Sequence, residues 1–270
     1  MAVLIRNETL RISKIIFAIL FLGMTLDALA QAVPVVKKPF SDEPKSLLLI
    51  GNSFMYFNNS MHRPLLGIHN SIHKENIKTR VFYINGSSLS WHDVESYVTN
   101  ENIGAFRFNS EDKIVPYEDR SYDIAIMQDC SRCPTHPDLS SDFRKYVKEH
   151  SKTLRNYNIE PVLMMTWAYK NEPSMIEAIS TEYTAVGNEN NLLVIPAGLA
   201  FSRATQEHPE IELYSDNRHP SPEGTYLAAA TIYASVFQSS PAGNPYKYGL
   251  EKKVRETLQR IAWETFLDYY

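Results

Sequence analysis

Cysteine is nearly absent: Cys130 and Cys133 are the only two in 270 residues. That excludes a disulfide framework and leaves one short CxxC pair. A bridge between the two is plausible in an exported protein, although so short a loop is geometrically demanding. A redox role has less context, because Pro134 only partly offers the helix start that a thioredoxin-like site wants. Glycine-rich phosphate loops of the Walker and dinucleotide types are missing, which excludes a nucleotide-dependent enzyme, and no cofactor is called for. Positive charge is not in excess either. Lys and Arg number 27 against 31 Asp and Glu, a formal net charge of -4, which argues against nucleic acid or an anionic membrane surface as partner. No internal repeat or low-complexity segment is present, so one domain is expected.

Long apolar runs are lacking as well, with one exception. Ile15 to Leu26 (IIFAILFLGMTL) follows Arg6, Arg11 and Lys14 and precedes Ala28-Leu29-Ala30. It is short for a bilayer span, and the small residues suit a signal peptidase, so residues 1–30 read as a cleavable secretory signal. The mature protein is expected to be secreted or periplasmic and not membrane-spanning. Residues 31–44, polar and proline-containing, read as a linker to a domain covering 45–270.

Within that domain, uninterrupted apolar runs occur at Ser46–Ile50, Thr79–Ile84, Asp123–Met127, Pro161–Thr166 and Leu192–Ile195. Continuous runs are what parallel strands covered on both faces require. Amphipathic stretches at Met61–Glu75, Leu139–Asn156, Pro173–Glu189, Ala197–Gln206, Pro222–Phe237 and about Leu250 to Phe266 separate or follow them. The alternation predicts a three-layer α/β chain with a five-stranded, mostly parallel sheet and a ligand site beyond the carboxyl ends of the strands.

Two segments at such ends carry chemistry. Gly51-Asn52-Ser53-Phe54 follows the first strand, and a Gly-x-Ser triplet alone is weak, but its position raises Ser53 as a nucleophile. Asp216-Asn217-Arg218-His219 precedes Ser221-Pro222, a cap and first residue for the next helix, so Asp216 and His219 sit on the loop feeding that helix. Three residues apart, the carboxylate could hold one imidazole nitrogen and leave the other aimed outward. Together the three supply a nucleophile, a base and a residue that fixes the base's tautomer.

These blocks resemble those of the SGNH/GDSL hydrolase superfamily, over roughly Lys45 to Phe237. The first looks like Leu47-Leu48-Leu49-Ile50-Gly51-Asn52-Ser53-Phe54, with Asn52 where aspartate is more usual, and the last is the Asp216-x-x-His219 pair. A glycine block after the second strand is matched by Gly86 in Ile84-Asn85-Gly86-Ser87-Ser88-Leu89-Ser90-Trp91-His92. The third block departs from the usual Gly-x-Asn-Asp, reading Met127-Gln128-Asp129-Cys130-Ser131. The GNSF block, the Gln-containing third block and Thr166-Trp167-Ala168-Tyr169 together are similar to those of secreted bacterial branches.

The resemblance implies a flavodoxin-like α/β/α fold and an oxyanion hole from the Ser53 and Gly86 backbone amides, with Gln128 as the side-chain donor and Ser131 as second choice. It also implies a substrate contact from Trp167, and His92, which follows the glycine loop of the second block, is expected to touch substrate, with capping of the turn as the alternative. A core role for Trp167 is about as well supported. The implied function is hydrolysis of an oxygen ester, short-chain acyl or O-acetyl carbohydrate, through an acyl-Ser53 intermediate. Acyl transfer to a sugar hydroxyl and a catalytically silent carbohydrate-binding module are the alternatives. His62, His69 and His73, seven and four residues apart, form a stripe that could hold a metal, but no cysteine or placed carboxylate accompanies them, and no metal is expected.

Overall fold

Four successive apolar residues, Leu47, Leu48, Leu49 and Ile50, are all 0% exposed in strand β1 (Ser46–Gly51). The computed structural model describes residues 32–100, 103, 106–116 and 121–270, and shows why this run has no polar alternation. Successive strand residues point to opposite faces. Leu47 and Leu49 enter one core with Ile124, Ile126, Val162 and Met164, while Leu48 and Ile50 enter a second with Ala125, Met127, Leu163 and Val194. Burial of each such side chain stabilises by roughly 1.5–3 kcal/mol.

Five strands form the parallel sheet: β1, β2 (Lys78–Tyr83), β5 (Ile124–Met127), β6 (Glu160–Met164) and β7 (Leu193–Ile195), in the order β2-β1-β5-β6-β7. The short strands β3 (Phe106–Phe108) and β4 (Ile114–Pro116) pair antiparallel in a separate hairpin. Counting only the main strands, the order is the 2-1-3-4-5 of flavodoxin-like folds, whose topological switch lies between the first and third strands. Here that is the crevice between β1 and β5.

Helices cover both faces. On one lie α2 (His62–Asn70), α6 (Ala197–Glu207), α7 (Pro222–Phe237) and α8 (Lys252–Tyr269); on the other lie α3 (Val94–Thr99), α4 (Ser140–Asn156) and α5 (Met175–Asn190). The sequence of α7 is apolar on nearly every side because it is enclosed, with thirteen consecutive residues from Gly224 to Val236 buried. Gly224 permits one close approach: a Cβ there would stand 2.3 Å from the Leu213 carbonyl oxygen. The expected three-layer α/β/α architecture with a five-stranded parallel sheet is the one observed.

Several boundaries differ. The helix expected over Met61–Glu75 stops at Asn70, where side chains take over the backbone groups. The Ser71 hydroxyl donates to the Ile68 carbonyl at 2.9 Å, and Asn70 Oδ1 accepts from the Ile77 N–H at 3.3 Å. The hairpin and α3 were not expected. Val33–Tyr270 forms one compact unit, so the segment read as a linker lies against the domain: the Val35 N–H donates to Asn188 Oδ1 at 2.8 Å and the Phe40 N–H to Glu160 Oε1 at 2.9 Å. The signal segment expected at 1–30 falls outside the described residues. Among those described, no helix is long and apolar enough to cross a membrane.

Candidate active site

Strand β1 ends at Gly51, and the chain turns at once into a single helical turn, α1 (Ser53–Tyr56), which begins with Ser53. Asn52 caps it, its Oδ1 accepting from the Phe54 N–H at 3.1 Å. The same side chain uses its other end: Asn52 Nδ2 donates to the Ser87 carbonyl at 2.9 Å and to the Asp129 carbonyl at 3.3 Å. A carboxylate offers no donor. Asparagine here therefore ties the loops after β1, β2 and β5 together in a way aspartate could not.

The second half of the site lies on the loop before α7. The Ser215 N–H donates to the His219 carbonyl at 2.9 Å and the Ser221 N–H to the Leu213 carbonyl at 2.9 Å, which fold residues 213–221 back on themselves. Ser221 Oγ then accepts from the Gly224 N–H at 3.0 Å, with Pro222 at the first helical position. On this loop His219 Nδ1 lies 2.7 Å from Asp216 Oδ2, and His219 Nε2 lies 3.0 Å from Ser53 Oγ. The structure thus brings Ser53, His219 and Asp216, separated by up to 166 residues, into one hydrogen-bonded chain at the carboxyl edge of the sheet. Burial alone pushes the Asp216 carboxyl up, but the His219 imidazole and the backbone N–H groups of His219 and Arg218 outweigh it and hold it at about 2. The imidazole is fixed by rings: Phe57 stacks on it at 4.0 Å and Phe54 meets it edge-on at 5.8 Å.

Gly86 has φ of +74°, and a Cβ there would meet nothing within 4 Å. Glycine is required by its left-handed backbone and not by crowding. Neither the Ser53 nor the Gly86 backbone N–H donates to a backbone acceptor among the described residues.

Three expected site residues stand elsewhere. Gln128 is 1% exposed, donates its amide to the neighbouring Asp129 carbonyl and leaves Oε1 without a partner. It packs under Gly51, where a Cβ would stand 2.8 Å from Oε1, and so presents no donor to the nucleophile. Its amide is committed to its own strand end, which spacing alone could not reveal. Ser131, the second choice, donates to the Tyr169 hydroxyl at 2.9 Å.

Trp167 is 0% exposed, stacked between Phe54 at 4.8 Å and Phe201 at 4.2 Å, and its Nε1 donates to the Arg218 carbonyl at 2.9 Å. It braces the His219 loop from within the core instead of lining the site. His92 is likewise buried, with Nε2 3.1 Å from Ser87 Oγ and Nδ1 3.1 Å from the Tyr97 hydroxyl. Burial, with the nearby His150, lowers it to about 4. It supports the Gly86 loop from behind.

Asp129 is a residue the sequence reading passed over. It is 1% exposed, and its Oδ1 accepts from the Leu89 N–H at 3.0 Å and the Cys130 N–H at 2.6 Å, linking the second and third blocks. Burial raises its carboxyl to about 6 against the pull of those two N–H groups. Cys130 and Cys133 are joined in a disulfide directly after it. With Asp129 they form a cluster of metal-ligating atom types within 4.8 Å, but bridged sulfurs provide no thiolate. Of the histidine stripe, His69 and His73 stack at 4.1 Å, whereas His62 is held apart by Ser60, Oγ to Nδ1 2.6 Å.

The loop after α1 is strained. Asn58, Asn59 and Ser60 have φ of 56°, 64° and 76°, three successive non-glycine residues in the left-handed region, where each costs about 1–3 kcal/mol. The cost is offset by anchoring. Asn58 Nδ2 donates at 2.8 Å both to the Pro220 carbonyl and to Thr225 Oγ1, and the Tyr248 hydroxyl donates to the Asn58 carbonyl at 2.7 Å. Pro220 follows His219, so this loop and the His219 loop are fixed as one piece.

No protein-family model matches the sequence, and no curated protein matches it significantly. Solved structures do resemble it. A DUF4886 family protein from Bacteroides uniformis superimposes with a TM-score of 0.59 at 21% identity, over 82% of this chain and 94% of that one. A candidate SGNH hydrolase from Slackia heliotrinireducens gives 0.54 at 19% identity, over 72% of this chain and 99% of that one. A catalytic mutant of an acetylxylan esterase from Geobacillus stearothermophilus gives 0.52 at 12% identity, over 77% and 97% respectively. In strand order, in layering and in its similarity to these structures, the chain has the fold of the SGNH hydrolases.

Proposed function

We propose that this chain is an exported serine esterase that hydrolyses an oxygen ester, short-chain acyl or O-acetyl carbohydrate, through an acyl-Ser53 intermediate. The observation that carries the reading is the chain Ser53 Oγ to His219 Nε2 at 3.0 Å and His219 Nδ1 to Asp216 Oδ2 at 2.7 Å. Asp216, ionised, accepts a hydrogen bond from the His219 Nδ1–H and so leaves Nε2 as the acceptor facing Ser53. Ser53 Oγ attacks the ester carbonyl carbon while its proton passes to Nε2. The Ser53 and Gly86 amides receive the oxyanion. The carbon–oxygen bond to the alcohol then breaks, and the Nε2 proton goes to the departing oxygen. Water next gives a proton to Nε2 and attacks the acyl carbon; the Ser53 Oγ bond breaks and Oγ regains the proton as the carboxylic acid leaves.

The likeness to an acetylxylan esterase supports acetyl as the acyl group and a sugar as the alcohol. Export is supported by the signal-like N-terminal sequence and by the Cys130–Cys133 bridge, since disulfides persist in oxidising compartments. Hydrolysis of p-nitrophenyl acetate tests the proposal. Wild type should turn over, and Ser53→Ala and His219→Ala should each lose on the order of 10³-fold or more in kcat. A Ser53→Ala protein that keeps wild-type turnover would remove the reading.

A further inference from the structure

A cavity of about 630 Å³ opens between the loop after α1 and the edge strand β2. That size lies within the roughly 300–1,000 Å³ of small-molecule sites. Phe57 is its wall on the His219 side: the ring stacked on the imidazole at 4.0 Å also lines the cavity. The cavity thus adjoins the site across Phe57, with neither Ser53 nor His219 in its lining, and the part of the ester that can extend past Phe57 into it is the alcohol, whose oxygen comes within reach of His219 Nε2 to collect its proton.

The remaining lining has a consistent chemistry. Tyr56 is 54% exposed and offers a ring for stacking. Asn59 is exposed and makes no internal side-chain hydrogen bond among the described residues, so its amide can both donate and accept. Among the described residues, the exposed Arg63 is in no ion pair and no Asp or Glu lines the cavity. An unpaired guanidinium beside an amide and an aromatic ring suits a hydroxylated ring that carries a carboxylate. The wall is also preorganised, since the left-handed run Asn58-Asn59-Ser60 is anchored to Pro220, Thr225 and Tyr248.

We infer that this cavity is a subsite for an acidic sugar unit in the alcohol part of the ester, with the Arg63 guanidinium pairing with its carboxylate and Tyr56 stacking on its ring. The inference rests on the esterase reading, and it is tested by binding so that the two can fail separately. Trigalacturonate and neutral galactotriose are titrated calorimetrically into Ser53→Ala protein, and into the same protein carrying Arg63→Gln or Arg63→Lys.

Trigalacturonate should bind more tightly than galactotriose. Arg63→Gln should weaken it by roughly tenfold or more, the loss of one charge-assisted contact, and Arg63→Lys should recover part of that loss. Raising salt should weaken the acidic ligand alone. Thermal unfolding of each variant identifies any that fails to fold, and the salt dependence on the Arg63-bearing protein then stands as the second measurement. No binding of trigalacturonate, equal binding of the neutral trisaccharide, or indifference to Arg63→Gln would overturn the subsite. If p-nitrophenyl acetate is hydrolysed while trigalacturonate does not bind, the subsite fails and the esterase stands. Arg63-dependent binding without any hydrolysis leaves the subsite and removes the esterase.

Discussion

The His219 imidazole lies face to face on the Phe57 ring, centroids 4.0 Å apart and planes 3° from parallel. Asp216 and Ser53 hold the imidazole at its two nitrogens, and Phe57 fixes the plane in which it can rotate. Phe57→Ala should therefore lower kcat for p-nitrophenyl acetate by roughly tenfold through misorientation of the base, and Phe57→Tyr should preserve it. An alanine variant with wild-type kcat would show that the two hydrogen bonds orient the ring alone.

Asn52 gives the second prediction. Asn52→Asp keeps the acceptor that caps α1 and removes both donors to the Ser87 and Asp129 carbonyls. It sets a negative charge against two carbonyl oxygens, so kcat should fall by roughly 10- to 100-fold and the melting temperature should drop. Steady-state kinetics and a thermal melt check this, and a variant unchanged in both would show that the loops are held by other contacts.

For Gln128 the expected outcome is a small one. Its amide faces the Asp129 carbonyl and its Oε1 has no partner, so Gln128→Leu should leave kcat/KM within about threefold while removing an unsatisfied buried oxygen. A loss of about 100-fold in kcat with KM unchanged would return it to the role of transition-state donor.

Asp129 makes stability depend on pH with a definite sign. Its carboxyl is raised to about 6 from an ordinary 3.8, so between those values the folded protein keeps a proton that the unfolded chain has released. Stability is therefore highest below the lower value and declines as pH rises through the upper one, a loss of about 3 kcal/mol by neutral pH. Asp129→Asn retains an oxygen to accept from Leu89 and Cys130 and removes the charge. It should match wild type near pH 4 and melt roughly 5 °C or more above it at pH 7.5. A difference independent of pH would mean that this carboxyl is not the titrating group.

What the sequence revealed and what it hid divide along physical lines. Strands such as Leu47–Ile50 were legible because burial on two faces leaves a continuous apolar signature, and α7 because its Ser221-Pro222 start is local chemistry. Ser53, Asp216 and His219 were legible as candidates because each sits directly after a strand or before a cap. The hairpin β3–β4 was not, since its two three-residue strands are shorter than any reliable periodicity. Gln128 and His92 were misplaced, and Trp167 was left between core and site, for one shared reason: residue type and position name a side chain's chemistry, whereas its partners are chosen in three dimensions. In each case the polar group turns inward, to the Asp129 carbonyl, to Ser87 and Tyr97, and to the Arg218 carbonyl. The loop-tying roles of Asn52 and Asp129 were not legible because they join loops that are 35 to 77 residues apart.

The central claim is that Ser53 is the nucleophile, activated by His219 and Asp216. The most direct measurement is reaction of the purified protein with a fluorophosphonate, followed by peptide mass spectrometry to locate the adduct. The account predicts a single phosphonyl group on Ser53, greatly slowed by His219→Ala and Asp216→Asn and abolished by Ser53→Ala. Labelling that persists in Ser53→Ala, or an adduct on any other residue, would contradict it.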